Sequence, residues 1–412
     1  MIKLPLYLQI VAALIVATIV GILLDPSHLN LNREIIEHLA LPCNLILKAL
    51  RTLATPLIFL AIIHTFLTAD IPGKSGRKLF GLLMGNTTVA IMIGLIVANV
   101  LQPGVGSKLP RPTTGNSAKP LDPFSLISDL VPDSVLKPLV DNNVISLIFV
   151  ALAFGIVLRA IKSEQIAHSQ TEYLAIERVI DLLFKAVIRI LHRVIALVPV
   201  AVFGIVSKTI ALYGFDSFKS LGSFVIAVLL ALALQATYYL IRLKFGSWVS
   251  PQKFLQGGRD ALISAFSTAS STATVPITYE VLVDKIGLRE SSASLGALVG
   301  SNFNNDGTAL YEAMSALFIS QVVGQHLTIE QQVMVMLTSI VASVGAAGIP
   351  EAGLVTMTLV LTSVGLPTEY VAILITVDWF LDRCRTAINV MGDMTVSALI
   401  DGKYPLQSTE QE

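Results

Sequence analysis

Six apolar runs fill most of the first 245 residues, near Leu6–Leu24, Leu41–Leu67, Leu79–Leu101, Val144–Ile161, Ala186–Ile205 and Leu221–Ile241. Each approaches or exceeds the roughly 20 residues that cross the hydrocarbon core of a bilayer. Lipid offers a bare backbone no hydrogen-bond partner, so runs of this length must satisfy their own peptide groups as helices. The composition agrees: 54% of residues are hydrophobic and only 14% charged, against about 25% charged in soluble domains. The expected fold class is an all-α polytopic membrane protein. Twenty-eight Lys plus Arg balance 28 Asp plus Glu, so neither the basic footprint of a nucleic-acid binder nor an acidic tail is present, and nucleic acid is not an expected partner. Two cysteines, Cys43 and Cys384, give no disulfide framework, and six scattered histidines without an HExxH give no hydrolytic metal signature.

Lys and Arg in short loops set the orientation. Lys74, Arg77 and Lys78 follow the second run, Arg159, Lys162 and Arg178 the fourth, and Arg242, Lys244, Lys253 and Arg259 the sixth. These clusters fall on one side, which puts the N-terminus in the cytoplasm. Met1–Lys3 precede a long apolar run without a small-residue cleavage site, so the first run is expected to be retained as a span. The proline-rich segment Gln102–Asp141 then lies outside as a long connection.

From Ala261 onward the apolar background is interrupted twice. Ser264, Ser267, Thr268, Ser270, Ser271, Thr272, Thr274 and Pro276 crowd one stretch, and GAAGIPEAG (Gly345–Gly353) breaks the run Val333–Val364. Each break is followed by a helix bearing carboxylates: Asp306 and Glu312 after the first, Asp378, Asp382 and Asp393 after the second. Small polar residues alone would merely let helices pack closely. A broken segment followed by a charged helix, occurring twice, points instead to a transporter's midplane binding site, because irregular backbone at membrane depth must line a polar cavity or be buried in protein.

Across Val371–Ile400 the polar residues form a stripe. Asp378, Asp382, Arg385, Asn389 and Asp393 fall within an arc of about 80° with Thr386 at its margin, rising about 22 Å from end to end. Each ionised group at mid-bilayer costs about 2.5–3.5 kcal/mol, so the stripe must face the protein interior. Asp382, Asp393 and Asp306 outnumber Arg385, while Arg383 points off the stripe. A structural ion-pair ladder would balance its charges; surplus buried carboxylate calls for cations. The oxygens of Asn304, Thr308, Asn389 and Thr386 are hard donors suited to Na⁺, and Arg385 presents a fork suited to a carboxylate.

Four motifs carry a family likeness. SSTATVP (Ser270–Pro276), NNDGTALYEA (Asn304–Ala313), GAAGIPEAGLVTMTLVLTSVGLPT (Gly345–Thr368) and VDWFLDRCRTAINVMGD (Val377–Asp393) resemble, in order and spacing, those of the dicarboxylate/amino-acid:cation symporters, which include the animal excitatory amino acid transporters. Upstream, NTTVAIMIGL (Asn86–Leu95) and NNVISLIFVALAFGIVL (Asn142–Leu158) resemble family segments more loosely. The resemblance implies eight transmembrane helices plus two re-entrant helical hairpins, assembled as a homotrimer in the plasma (inner) membrane with both termini cytoplasmic. It implies an elevator, in which a transport domain slides against a scaffold. Residues 1–70 and 102–213 would be scaffold, and 71–101 and 214–403 transport domain, with a tail at 404–412. Within the latter, helix six would lead to hairpins at about 255–290 and 330–366, and helices seven and eight would cover about 291–320 and 369–400.

By the same resemblance Arg385 would bind the substrate's side-chain carboxylate and Asp382 its α-amino group, with Thr386, Asn389 and Thr308 adding polar contacts. Hairpin backbone at Ser270, Ser271, Ile349 and Gly353 would hold the rest. One cation site would use Gly300, Asn304, Asn389 and Asp393, a second Asp306 with Asn304 and Thr87, and a third the backbone near Ser343 and Val344. Glu312 matches a proton-carrying glutamate. The pair Asp382 and Arg385 implies an acidic amino acid, glutamate or aspartate, over a C4-dicarboxylate or a neutral amino acid. No cofactor is expected; the coupling ions would be Na⁺ and/or H⁺, with K⁺ counter-transport open. Two Na⁺ and a monoanionic amino acid would supply about 5 kcal/mol at tenfold gradients and 100 mV.

The chain departs from the family pattern at four places. Asn305 replaces a methionine that links cation and substrate sites, and Ala346 replaces a threonine near the third cation site. Ala269 stands where many prokaryotic members carry an arginine, with Arg383 supplying one instead. Glu351 sits at the second hairpin tip as a gate-tuning charge or a solvated residue. Cys384 reads as a packing residue and His64 and His192 as interior histidines. The GKS within Ile71–Lys78 follows Thr68 where a phosphate loop needs glycine. An intramembrane aspartyl protease lacks its GxGD, since Val390 opens Val390-Met391-Gly392-Asp393. An anion channel would dissipate a gradient where a symporter concentrates solute.

Overall fold

The computed structural model describes residues 6–24, 33–68, 73–107, 131–141, 144–214, 219–345, 352–404, and the described chain is helical throughout, with turns and short loops between helices. Ile349, Ala346, Glu351, Met1–Lys3 and most of the proline-rich connection lie outside the described residues.

The helices sort by contact into two groups. Leu6–Leu23 packs along Val198–Tyr213, and Leu41–Thr68 packs on Val144–Ala167, Tyr173–Ile195 and Val198–Tyr213. Gly21 allows the first of these contacts: a Cβ there would sit 2.7 Å from Ile210 Cβ, and Ser207 Oγ bonds Ala17 O across the same seam at 3.2 Å. The apolar run Ala186–Ile205 is not the single straight span its hydropathy suggests. It divides at Ala196–Leu197 into Tyr173–Ile195 and Val198–Tyr213, bent by 40°, because Pro199 in the first turn of the second helix has no N–H to continue the ladder. Tyr173–Ile195 is strongly amphipathic and buries only Leu191 and Ile195.

The second group surrounds Val371–Asp401, which contacts Lys219–Gly246, Pro251–Thr268 and Asp306–Val323; Gly73–Leu101 lies along Asp306–Val323. Both hairpins expected from the sequence contain two packed helical arms. In the first, Ser250 caps Pro251–Thr268 by accepting from Lys253 N at 3.2 Å. Ala269 reverses the chain at φ 53°, and Ser270 caps Ser271–Glu280 through Ala273 N at 3.1 Å. A left-handed non-glycine residue costs about 1–2 kcal/mol. Arg383 offsets this by donating to Phe266 O at 3.0 Å and Ser267 O at 2.5 Å, which satisfies carbonyls left open at the arm's end. The second hairpin pairs Ile329–Gly345 with Ala352–Ser363.

Helix seven is not continuous. Glu290–Ser294, the π-helical turn Leu295–Val299 and Gly300–Phe303 run into Asn304 and Asn305, whose ψ angles of 67° and 49° stop the helix before Asp306–Val323 begins. Among the described residues, 34–68, Gly76–Leu101 and Lys219–Gly246 are long and apolar enough to cross a membrane unaided. Val371–Asp401 is longer than the last two, but its charges must be covered by protein. The two groups meet where Val371–Asp401 rests on Val198–Tyr213 and both arms of the second hairpin rest on Leu41–Thr68.

Candidate substrate and cation site

The polar stripe of Val371–Asp401 is turned fully inward: Asp378, Asp382, Arg385, Thr386, Asn389 and Asp393 are all buried. Arg385 is among the largest side chains with no exposure at all. Its Nη1 donates to Asp378 Oδ1 at 2.8 Å and its Nη2 to Asp382 Oδ1 at 2.7 Å, and its guanidinium lies 3.9 Å from the centre of the Tyr311 ring. Arg385 Nε and Asp378 Oδ2 keep hydrogen-bonding capacity unused. Thr308 and Gly353 border the guanidinium, since a Cβ on Gly353 would stand 3.3 Å from Thr308 Cγ2 and 3.4 Å from Arg385 Nη2. A side chain at residue 353 would therefore crowd the place where a carboxylate could approach. Thr386 directs its hydroxyl back to Asp382 O at 2.8 Å.

The first hairpin reaches the same centre from the other side. Thr268 and Ala269 line a cavity of about 400 Å³ together with Asp382, Arg383, Trp379 and His192. Ser270 caps its own helix, while Ser271 Oγ bonds Ser301 O at 3.0 Å, so both serine side chains hold the hairpin in place.

A second polar centre lies toward the other end of the stripe. Asn304 Nδ2 donates to Asn389 O at 3.3 Å, which leaves Asn304 Oδ1 buried without a partner, and Asp393 Oδ1 is likewise unpartnered. Gly300 approaches so closely that a Cβ there would sit 2.5 Å from Asp393 Oδ1. Orphaned buried oxygens are costly unless something positive meets them, so Gly300, Asn304, Asn389 and Asp393 fit a hard monovalent cation. Asp306 is differently placed. Its Oδ1 accepts from Thr87 Oγ1 at 2.6 Å and its Oδ2 from the Tyr239 hydroxyl. Asn304 and Asp306 belong to the same unwound turn, which brings the two proposed cation sets side by side. Ser343 and Val344 fall in the last turn of Ile329–Gly345, and Ser343 O accepts from Asn305 Nδ2 at 2.9 Å.

Asn389 joins the two centres. Gly307 N donates to its Oδ1 at 2.7 Å, and its Nδ2 donates to Asn305 Oδ1 and Thr308 Oγ1, both at 3.3 Å. Glu312 is fully buried; its Oε1 accepts from Thr356 of the second hairpin, and its Oε2 has no partner. Of the site residues anticipated from the sequence, Asn389, Thr308 and Ser343 are tied by hydrogen bonds to the unwound turn at Asn304–Asn305, Asp382, Thr386 and Gly353 cluster at Arg385, and Ile349 lies outside the described chain.

Three supporting residues, Tyr311, Tyr239 and Thr356, are not singled out by the sequence, which shows Asp378 as part of the stripe without assigning it a partner. Asp378 does carry a signal in the stripe itself, lying seven residues before Arg385, two turns below it on one helical face. Tyr239 carries none, because its partner Asp306 is 67 residues away on a different helix.

No group of three or more His, Cys, Asp or Glu able to hold a metal ion occurs among the described residues. Known proteins match this chain along nearly its whole length. The profile of the sodium:dicarboxylate symporter family aligns with residues 6–403. The chain belongs to that family. The symporter is a membrane transporter and not an enzyme, and Na⁺ is the coupling ion its family description carries. It is 30% identical to an excitatory amino acid transporter of Caenorhabditis elegans, over 95% of its own length and 86% of the relative's. It is 29% identical to excitatory amino acid transporter 1 of Ambystoma tigrinum, over 98% and 84% of the two chains. With excitatory amino acid transporter 4 of Mus musculus the figures are 29% identity, 95% and 82%.

Proposed function

We propose that this symporter takes up acidic amino acids, L-glutamate or L-aspartate, coupled to Na⁺ entry and working as an elevator within a homotrimer of the plasma (inner) membrane, with both termini cytoplasmic. The observation that carries the reading is the buried triad of Arg385, Asp382 and Asp378 beside the orphaned oxygens of Asn304 and Asp393. A guanidinium and a carboxylate within hydrogen-bond reach of each other match the two ends of an amino acid whose side chain is itself a carboxylate. The ammonium would replace Arg385 as the partner of Asp382, and the side-chain carboxylate would replace Asp382 as a partner of Arg385. Ser270, Ser271, Ile349 and Gly353 would complete the enclosure.

Cations are needed because five acids, Asp306, Glu312, Asp378, Asp382 and Asp393, are buried with Arg385, which pairs with only Asp378 and Asp382. A monoanionic solute adds further negative charge. Cations at Gly300, Asn304, Asn389 and Asp393, and at Asp306 with Asn304 and Thr87, would offset that charge and, through Asn389, align Thr308 with the substrate. Glu312 is hydrogen-bonded to the second hairpin through Thr356, and with that hairpin acting as a gate its protonation would bear on opening, in keeping with a proton-carrier role. The two helix groups support the elevator assignment. Among the described residues, the group around Val371–Asp401 holds the proposed site residues, and the group around Leu41–Thr68 holds none of them.

Uptake of labelled glutamate, aspartate and succinate into proteoliposomes, under separately imposed Na⁺, H⁺ and K⁺ gradients, tests the reading. Accumulation of glutamate or aspartate above its external concentration, driven by Na⁺, is expected. Flux that only equilibrates the solute would make the protein a channel, and a preference for succinate would make it a dicarboxylate carrier.

A further inference from the structure

Asn305, which replaces the family's methionine, meets the backbone that the resemblance assigns to a third cation, since its Nδ2 donates to Ser343 O. Its orientation is fixed by a chain of bonds. Gly307 N–H can only donate, so the atom of Asn389 facing it at 2.7 Å is the carbonyl Oδ1, and the other end of that amide is Nδ2. Asn389 Nδ2 in turn faces Asn305 Oδ1 at 3.3 Å, which leaves Asn305 Nδ2 pointing the opposite way. There it meets two backbone carbonyls, Ser343 O at 2.9 Å and Asn302 O at 3.4 Å. Carbonyls cannot donate, so the reversed amide would set oxygen against oxygen on that side.

Asn305 is buried, and both of its N–H groups are committed to bridging these carbonyls. One belongs to the segment before the unwound turn, the other to the last turn of the second hairpin's first arm. The last carbonyls of a helix have no partner within it. A cation shared by the two carbonyls would have to stand where the polarised hydrogens of the amide stand, and like partial charges exclude it. The Ser343 carbonyl, taken up together with Asn302 O by this amide, therefore does not fit a coupling ion in this chain.

We propose that the Asn305 amide is a permanent neutral substitute for one coupling cation: it ties the second hairpin to the unwound turn without an ion, so this symporter moves fewer Na⁺ per substrate than a relative with three cation sites. This rests on the cation-coupled reading above. The same amide hands the tie onward to Asn389, and so to Thr308 beside the guanidinium.

Two measurements on the full-length purified protein test it. In proteoliposomes, the Na⁺-to-substrate ratio from reversal potentials is expected to be two or fewer; three or more overturns the proposal. In detergent, substrate binding is followed by calorimetry as Na⁺ is raised. Asn305→Met and Asn305→Ala remove the amide donors and leave Ser343 O and Asn302 O in need of a positive partner. Both variants are expected to show a steeper Na⁺ dependence than the wild type, with substrate affinity at low Na⁺ reduced roughly tenfold and recovered at high Na⁺. Asn305→Gln, which keeps an amide, should stay nearer the wild type. An unchanged slope in variants that still bind substrate overturns the proposal. Should the variants not fold, the wild-type ratio decides alone. Binding and uptake indifferent to Na⁺ in the wild type would overturn the symport reading itself, a result distinct from a ratio of three.

Discussion

Asp382 Oδ1 accepts from Arg385 Nη2 at 2.7 Å, so the two groups proposed to hold opposite ends of an amino acid are paired with each other. Binding must therefore exchange an internal ion pair for two pairs to the solute. A ligand able to occupy only one of the partners leaves the other carboxylate or guanidinium buried and unmatched, which is expensive in a low dielectric. In the proposed site the pair would thus act as a filter for solutes carrying both an ammonium and a second carboxylate.

Substrate choice should follow from this exchange. Arg385→Ala is expected to abolish glutamate and aspartate uptake and to admit neutral amino acids. It should also destabilise the fold by about 3–5 kcal/mol, because Asp378 and Asp382 lose their shared counter-charge. Asp382→Asn should weaken amino acids at least tenfold while leaving succinate unchanged or tighter, since Arg385 then loses one internal competitor. Competition binding of the three solutes to each variant checks both; equal losses for glutamate and succinate in Asp382→Asn would contradict the ammonium contact.

Glu312 is tied to the second hairpin through the hydroxyl of Thr356. Glu312→Gln keeps an acceptor for that hydroxyl and removes the titratable group. Its net uptake is expected to lose dependence on external pH while exchange of external for internal substrate continues. Paired measurements of net uptake and exchange across roughly pH 5.5–8.5, a range that brackets near-neutral titrations, would show an unchanged profile if the residue is merely structural.

At the first cation set, Asp393→Asn should remove Na⁺ binding without disturbing Arg385, which contacts Asp378 and Asp382 instead. A ligand at a hundred times its dissociation constant stabilises the folded state by about 2.7 kcal/mol. Thermal melting of the wild type should therefore rise with Na⁺ and not with choline, and the rise should shrink markedly in Asp393→Asn and in Asn304→Ala. Full Na⁺ stabilisation in both variants would remove the orphaned oxygens from the coupling scheme.

Much of this centre can be read in the sequence because its parts obey local rules. The stripe from Asp378 to Asp393 follows helical periodicity, and charge that cannot face lipid has to face inward. Ser270 and the short polar stretches around it announce the break that makes the first hairpin. What sequence does not display is which distant group answers a local demand. Arg383 falls off the stripe, and only the packed structure shows it closing the carbonyls of Phe266 and Ser267. Lys162 and Lys78 do the same for Leu67 O and Leu399 O at 2.7 Å and 2.9 Å, over separations of 95 and 321 residues. The division of Ala186–Ile205 is hidden for another reason. Hydropathy sums side chains and is blind to the single missing N–H of Pro199.

Gly307 offers a test of how closely the unwound turn must sit against the charged helix. A Cβ at this position would lie 2.7 Å from Arg385 O, 3.1 Å from Arg385 Cα and 3.1 Å from Asn389 Oδ1. Two of these atoms are backbone and cannot rotate aside, and the third is the acceptor for Gly307 N. Gly307→Ala must therefore push Asp306–Val323 away from Val371–Asp401, stretching the bond that orients Asn389 and, through it, both Asn305 and Thr308. A loss of about 1–3 kcal/mol in stability is expected from the overpacking, with substrate and Na⁺ affinity falling together because one amide serves both. At Gly81 and Gly85, on the helix Gly73–Leu101, an added Cβ would meet nothing within 4 Å. Alanine there should instead gain the roughly 0.5–1 kcal/mol that glycine forfeits inside a helix. Melting temperatures with Na⁺ and glutamate titrations of the three variants distinguish a close-packed junction from a general sensitivity to glycine replacement. If Gly307→Ala bound both ligands normally, the shared role of Asn389 would have to be abandoned.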